Sequence, residues 1–203
     1  MTIERTEGKG RLLHPDWRTP AGRSFELIRT CRLAPSDPII LVGEADAPLL
    51  DALLGLGHRD LTVIESSPQA LDGLRSALRE LEPDVTLLEQ NVLEFRPDRR
   101  YALWHDSGFF HRLLHPDDRA QYVEVVQQAL RPEGHLVIAT CGPEGPEHDG
   151  GMPVRRYSAE KLAGELGRQF ELAEQGIARH PAARGGDTQL LHCRFRRHAP
   201  QWP

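Results

Sequence analysis

Cysteine is scarce in this 203-residue chain, and the three present, Cys31, Cys141 and Cys193, form no CxxC pair. Their odd number and wide spacing argue against a disulfide framework and a structural zinc site, and fit reduced thiols in a cytosol. Long apolar runs are missing as well. No stretch approaches the roughly 18 apolar residues of a membrane span, and the opening MTIERTEGKGRLLHPDW has no apolar h-region. Neither a membrane anchor nor a leader is expected, and a cytoplasmic location is. Basic residues are not in excess: 25 Lys and Arg stand against 30 Asp and Glu, for a net charge of −5. Without a long basic stripe, nucleic acid is not an expected partner. Glycine is thin where a dinucleotide loop would need it. The turn after the first apolar run, Val42-Gly43-Glu44-Ala45-Asp46, carries one glycine, so a GxGxxG reading fails and hydride transfer drops out.

What is present is an ordinary globular mixture, 39% hydrophobic and 27% charged, in a chain long enough for one sizeable core. Residues 1–19 read as an N-terminal arm and 20–203 as a single domain. A capping helix is expected over 20–33, where Phe25, Leu27, Ile28 and Cys31 recur at helical spacing. Five short apolar runs follow at 39–43, 61–65, 85–89, 101–106 and 135–140, and read as buried strands. Between them, 46–56, 68–81 and 117–130 repeat Leu, Ala and Val every three or four residues, as helices with one buried face do. Right-handed βαβ crossovers then give an α/β fold: a doubly wound, mostly parallel sheet with helices on both faces. A fifth helix is expected over 157–169, with Ser158 as N-cap. Two strands at 170–179 and 188–197, separated by turn formers Gly185, Gly186 and Asp187, predict a closing antiparallel hairpin.

In such sheets ligands bind at the carboxyl ends of the strands, where strand order switches. Gly43 ends the first strand. Glu65 ends the second, at the spacing where nucleotide-binding folds place an acid on ribose hydroxyls; the alternative is a charge complementing the dipole of the helix beginning at Pro68. Ser66 follows it. Glu89-Gln90-Asn91-Val92 could hydrogen-bond an adenine edge or be a plain polar loop. The densest end is Trp104-His105-Asp106-Ser107-Gly108-Phe109-Phe110-His111. There His105 or His111 could serve as a base near neutrality, and Asp106 with the aromatic rings could hold a cationic sulfonium or orient a nucleophile; solvated loop histidines are the plainer alternative. No ligand pair has HExxH or CxxC geometry, so no metal is assigned. Trp17 and Trp104 could line an acceptor pocket or simply pack.

These blocks together resemble small bacterial class I S-adenosylmethionine-dependent methyltransferases, whose first motif reads DVGGGxSxLVDxLL. This chain supplies LVGEADAPLLDALL at 41–54, LTVIESS at 61–67, NV at 91–92, YALWHDSGFFHRLL at 101–114 and LRPEGHLVIATC at 130–141. The likeness runs from about residue 24 to 197, with the WHD...FH block its most specific element. It implies a seven-stranded sheet with an antiparallel last strand and S-adenosylmethionine as cofactor. Gly43 and its neighbour Glu44 would lie at the methionine moiety, Glu65 and Ser66 at the ribose, Asn91 and Val92 at the adenine, Asp106 beside the sulfonium and His111 on the acceptor side. Departures are Leu41 for an acid, Glu44 and Ala45 for two glycines, Pro48 in the next helix, Asn91 for Asp, and Ser107 for Arg. The expected function is methyl transfer to an unidentified small or protein-borne nucleophile, with His105, Asp106 and His111 as catalytic candidates. The alternative is a catalytically degenerate relative acting as a binding or regulatory module.

Overall fold

A computed structural model describes residues 20–43, 47–77, 85–181 and 187–199. Helix α1 (Pro20–Thr30) leads into strand β1 (Ile39–Gly43), helix α2 (Ala47–Gly55), strand β2 (Leu61–Glu65), helix α3 (Pro68–Ala77) and strand β3 (Val85–Glu89). Strand β4 (Tyr101–Ser107), helix α4 (Pro116–Ala129), strand β5 (Leu130–Cys141), helix α5 (Ala159–Leu166), strand β6 (Phe170–Pro181) and strand β7 (Asp187–Arg197) follow. The expected arm at 1–19, Glu44 and the turn glycines Gly185 and Gly186 lie outside the described residues.

The seven strands form one sheet in the order β3-β2-β1-β4-β5-β7-β6. β1 pairs parallel with β2 and β4, and β4 with β5, whereas β7 runs antiparallel to both β5 and β6. The strand order reverses between β1 and β4, which opens a crevice at their carboxyl ends. Four of the five residues of β1 are buried, as a central strand covered on both faces requires. One face packs Ile40, Val42, Trp104, Leu136, Ile138 and Phe195 under Tyr122 of α4 and Leu162 of α5. The other packs Leu41, Leu103 and Val137 under Phe25, Leu27 and Ile28 of α1 and Leu49 and Leu53 of α2.

Of the boundaries that differ from expectation, three have a clear local cause. α1 stops at Thr30 rather than 33, because Arg32 takes a left-handed φ of 53° that no helix can continue through. α4 starts one residue early: Pro116 fits the first turn, and the His115 ring accepts from the Asp117 N–H. β5 begins at Leu130, five residues before the expected start, since Leu130 pairs with Tyr101 across an irregularity and Glu133 absorbs it at φ 63°. Among the described residues no helix is long and apolar enough to cross a membrane.

Candidate functional site

Four strand ends meet at the crevice. β1 closes on Gly43 at φ +93°, and a Cβ there would lie 2.9 Å from the Ser107 carbonyl oxygen of β4. Only glycine lets the two strand ends approach so closely. Leu41, two residues earlier, is 6% exposed and lies in the apolar cluster with Leu49 and Leu53, so its side chain is spent on the core. Glu65 is half-buried at the end of β2, where its Oε1 accepts from the Ser67 N–H at 2.8 Å. That bond ties it to the entry of α3, as the dipole reading expects, yet Oε2 has no partner among the described residues. Exposed Ser66 lies beside it. Asn91 is exposed and caps the short turn Val92–Glu94, its Oδ1 accepting from the Leu93 N–H at 3.0 Å. Val92 is buried among the core side chains.

The end of β4 is arranged differently from the expectation. Asp106 is 0% exposed. Its Oδ1 accepts from the Phe109 N–H at 2.7 Å, and its Oδ2 from the Phe110 N–H at 3.1 Å and the Tyr122 hydroxyl at 2.5 Å. The Trp104 indole N–H donates in turn to the Tyr122 oxygen at 3.0 Å. Asp106 therefore faces inward under α4, where it shapes the turn after the strand, and not outward toward a cofactor. Burial pushes its carboxyl up to about 6, with the Tyr122 hydroxyl and the backbone N–H groups pulling the other way. Burial and the neighbouring Asp106 carboxylate raise the Tyr122 phenol far above its ordinary value.

His105 points to the opposite face, between Leu41 and Val137 in the strand register. It is 1% exposed, its Nε2 has no hydrogen-bond partner among the described residues, and burial lowers it to about 4. His111, 3% exposed, comes to the edge itself. Its Nδ1 accepts from the Cys141 N–H at 2.9 Å, which leaves the proton on Nε2, 3.6 Å from the Asp149 carboxylate. Arg112 clamps the same carboxylate oxygen at 2.8 Å. The three catalytic candidates thus diverge: one to each face of the sheet and one to its rim.

Sequence reasoning passed over Tyr122, Arg112 and Asp149. Tyr122 fits the apolar stripe of α4 and carries no separate signal. Asp149 belongs to a two-residue hairpin, His148–Asp149 with Met152–Pro153, in a loop with no periodicity.

The donor set at this edge suits a nucleoside. A carboxylate with one open oxygen accepts from a ribose diol, and the Asn91 amide can meet a purine edge. The fit is weaker toward an amino-acid end: where an acid would receive an amino group, Leu41 is buried in the core.

No protein-family profile matches the chain, and no curated protein does. Solved structures do. The N-methyltransferase NodS of Bradyrhizobium japonicum WM9 superposes with a TM-score of 0.70 at 18% identity, over 87% of this chain and 95% of that one. The Burkholderia thailandensis 1,6-didemethyltoxoflavin-N1-methyltransferase, bound to its substrate and S-adenosylhomocysteine, reaches 0.69 at 20% identity, over 90% and 80%. The glycopeptide N-methyltransferase MtfA complexed with sinefungin reaches 0.69 at 18%, over 95% and 100%. The chain shares the fold of these enzymes.

Proposed function

We propose that this protein transfers a methyl group from S-adenosylmethionine to a nucleophile on a small molecule or a protein. The observation that carries the reading is the pairing, at the switch point of this sheet, of Gly43 in its left-handed conformation with a Glu65 carboxylate whose Oε2 has no partner among the described residues. Bound there, the cofactor would supply an activated methyl group on sulfur. Glu65 would hold its ribose, the Asn91 loop its base, and Gly43 would let backbone approach. Asp106 acts at one remove, by fixing Phe109 and Phe110 in the turn that follows β4. Methyl transfer draws its rate mostly from proximity and alignment, so the inward turn of His105 and Asp106 is compatible with activity.

Isothermal titration with S-adenosylhomocysteine tests this. Saturable binding at micromolar concentration is expected, with E65A weakening it at least tenfold; absence of saturable heat up to millimolar ligand overturns the reading. A second reading, a non-catalytic binding module on the same fold, draws support from Leu41 in the core and from the burial of His105 and Asp106. Steady release of S-adenosylhomocysteine on incubation with an acceptor would dispose of it.

A further inference from the structure

His111 and Arg112 sit side by side at the rim of β4 and β5, and both are aimed at one carboxylate that belongs to a different kind of element. The imidazole is fixed from behind: the Cys141 N–H donates to Nδ1 at 2.9 Å, and Gly108 passes so close that a Cβ on it would stand 3.2 Å from the ring's Cε1. With Nδ1 occupied, Nε2 carries the hydrogen and is directed at Asp149 as a donor. The Arg112 backbone is tied by its N–H to the Phe109 carbonyl at 3.1 Å, and its side chain is three-quarters buried. Two donors, one of them permanently cationic, are therefore preorganised on the body of the domain.

Their occupant sits on a very short element. Asp149 lies on a hairpin of two-residue strands whose tip, Gly150 and Gly151, has positive φ at both positions and nothing within 4 Å of either added Cβ. Met152 beside it is 52% exposed. So short a hairpin buries little apolar surface, and moving it aside exchanges one carboxylate on Arg112 for another at small net cost.

We propose that His111 and Arg112 form a carboxylate-binding site, that Asp149 fills it as an internal stand-in, and that the methyl acceptor carries a carboxylate which takes Asp149's place. The identification of that ligand as the acceptor rests on the methyl-transfer reading. The anion site itself does not. It lies on the same sheet edge as Ser107, which follows Asp106 and abuts Gly43, so a carboxylate held there would bring the rest of the acceptor over the end of β4.

Benzoate, with benzamide as its uncharged counterpart, is a suitable probe without any cofactor. D149A removes that competing carboxylate and should bind benzoate at least tenfold more tightly than the wild type by isothermal titration, while ignoring benzamide. Adding R112A to D149A should abolish the gain. Circular dichroism checks the fold of each variant, and D149N, which keeps the shape and loses the charge, replaces D149A if the alanine variant does not fold. No gain in a folded variant, or equal binding of benzamide, overturns the proposal. If S-adenosylhomocysteine fails to bind while benzoate behaves as expected, methyl transfer falls and the anion site stands.

Discussion

Replacing Asp106 by Asn and His105 by Gln should bend the pH dependence of stability in opposite directions. Burial raises the Asp106 carboxyl from 3.8 to about 6 in the fold. A folded pKa above the unfolded one stabilises fully below 3.8, and the contribution is lost as pH rises through about 6. At 1.36 kcal/mol for each unit, the loss between pH 4 and pH 7 is about 2 to 3 kcal/mol. Burial depresses His105 from 6.5 to about 4. Its stabilisation is present above 6.5 and lost as pH falls through about 4, again about 3 kcal/mol over the same interval. Both groups are almost wholly enclosed, so solvent screening removes little of either effect. In the wild type the two slopes nearly cancel. Urea midpoints followed by tryptophan fluorescence from pH 4 to pH 7 would separate them. Relative to wild type, D106N should gain about 2 to 3 kcal/mol as pH rises, and H105Q should lose about 3. Lost hydrogen bonds shift each variant by a constant and leave these slopes untouched. Difference curves flat to within about 0.5 kcal/mol would refute the assignment of both shifts to burial.

Two further substitutions probe the frame around the site. G43A places a Cβ 2.9 Å from the Ser107 carbonyl at a φ of +93°, and should cost about 2 to 4 kcal/mol in thermal unfolding while weakening S-adenosylhomocysteine binding; a wild-type melting curve would show that the strand ends have room. Y122F removes the hydroxyl that donates to Asp106 and accepts from Trp104, and should cost about 2 to 3 kcal/mol, or roughly 5 to 10 °C of Tm; a change under about 1 °C would mean the network carries no stability.

Much of the fold was legible because short apolar runs and helical stripes report burial directly. Strands β1 to β3 occupy the ranges read from sequence, and Ser158 caps α5 through the Lys161 N–H as its residue type foretold. β5 extends five residues ahead of its apolar run because Leu130 pairs with Tyr101, a long-range fact that no local pattern contains. At the site, Gly43, Glu65 and Asn91 could be placed on the edge from position alone, since the first two end their strands and Asn91 follows β3 by two residues. The direction of Asp106 could not. Strand alternation assigns it to one face, but whether it opens to solvent or stays under a helix is decided by Tyr122, 16 residues further along.

The same fact bears on what the WHD...FH block means. Trp104 and Asp106 meet at the Tyr122 hydroxyl, and the backbone N–H groups of Phe109 and Phe110 close on Asp106, in one network. His111 at the end of the block anchors to β5 through the Cys141 N–H. A buried carboxylate that met no donors would cost several kcal/mol, so every member of this set constrains the others. The block is specific, then, because it solves the problem of turning the chain out of the central strand and pinning the turn to β5. A protein could keep all of it and have no chemistry. On the methyl-transfer reading, what an enzyme needs in addition would lie at Gly43, Glu65 and the Arg112 rim. Substitutions at Glu65 and Arg112 should separate ligand binding from stability, whereas those at Gly43 and inside the block should move the two together.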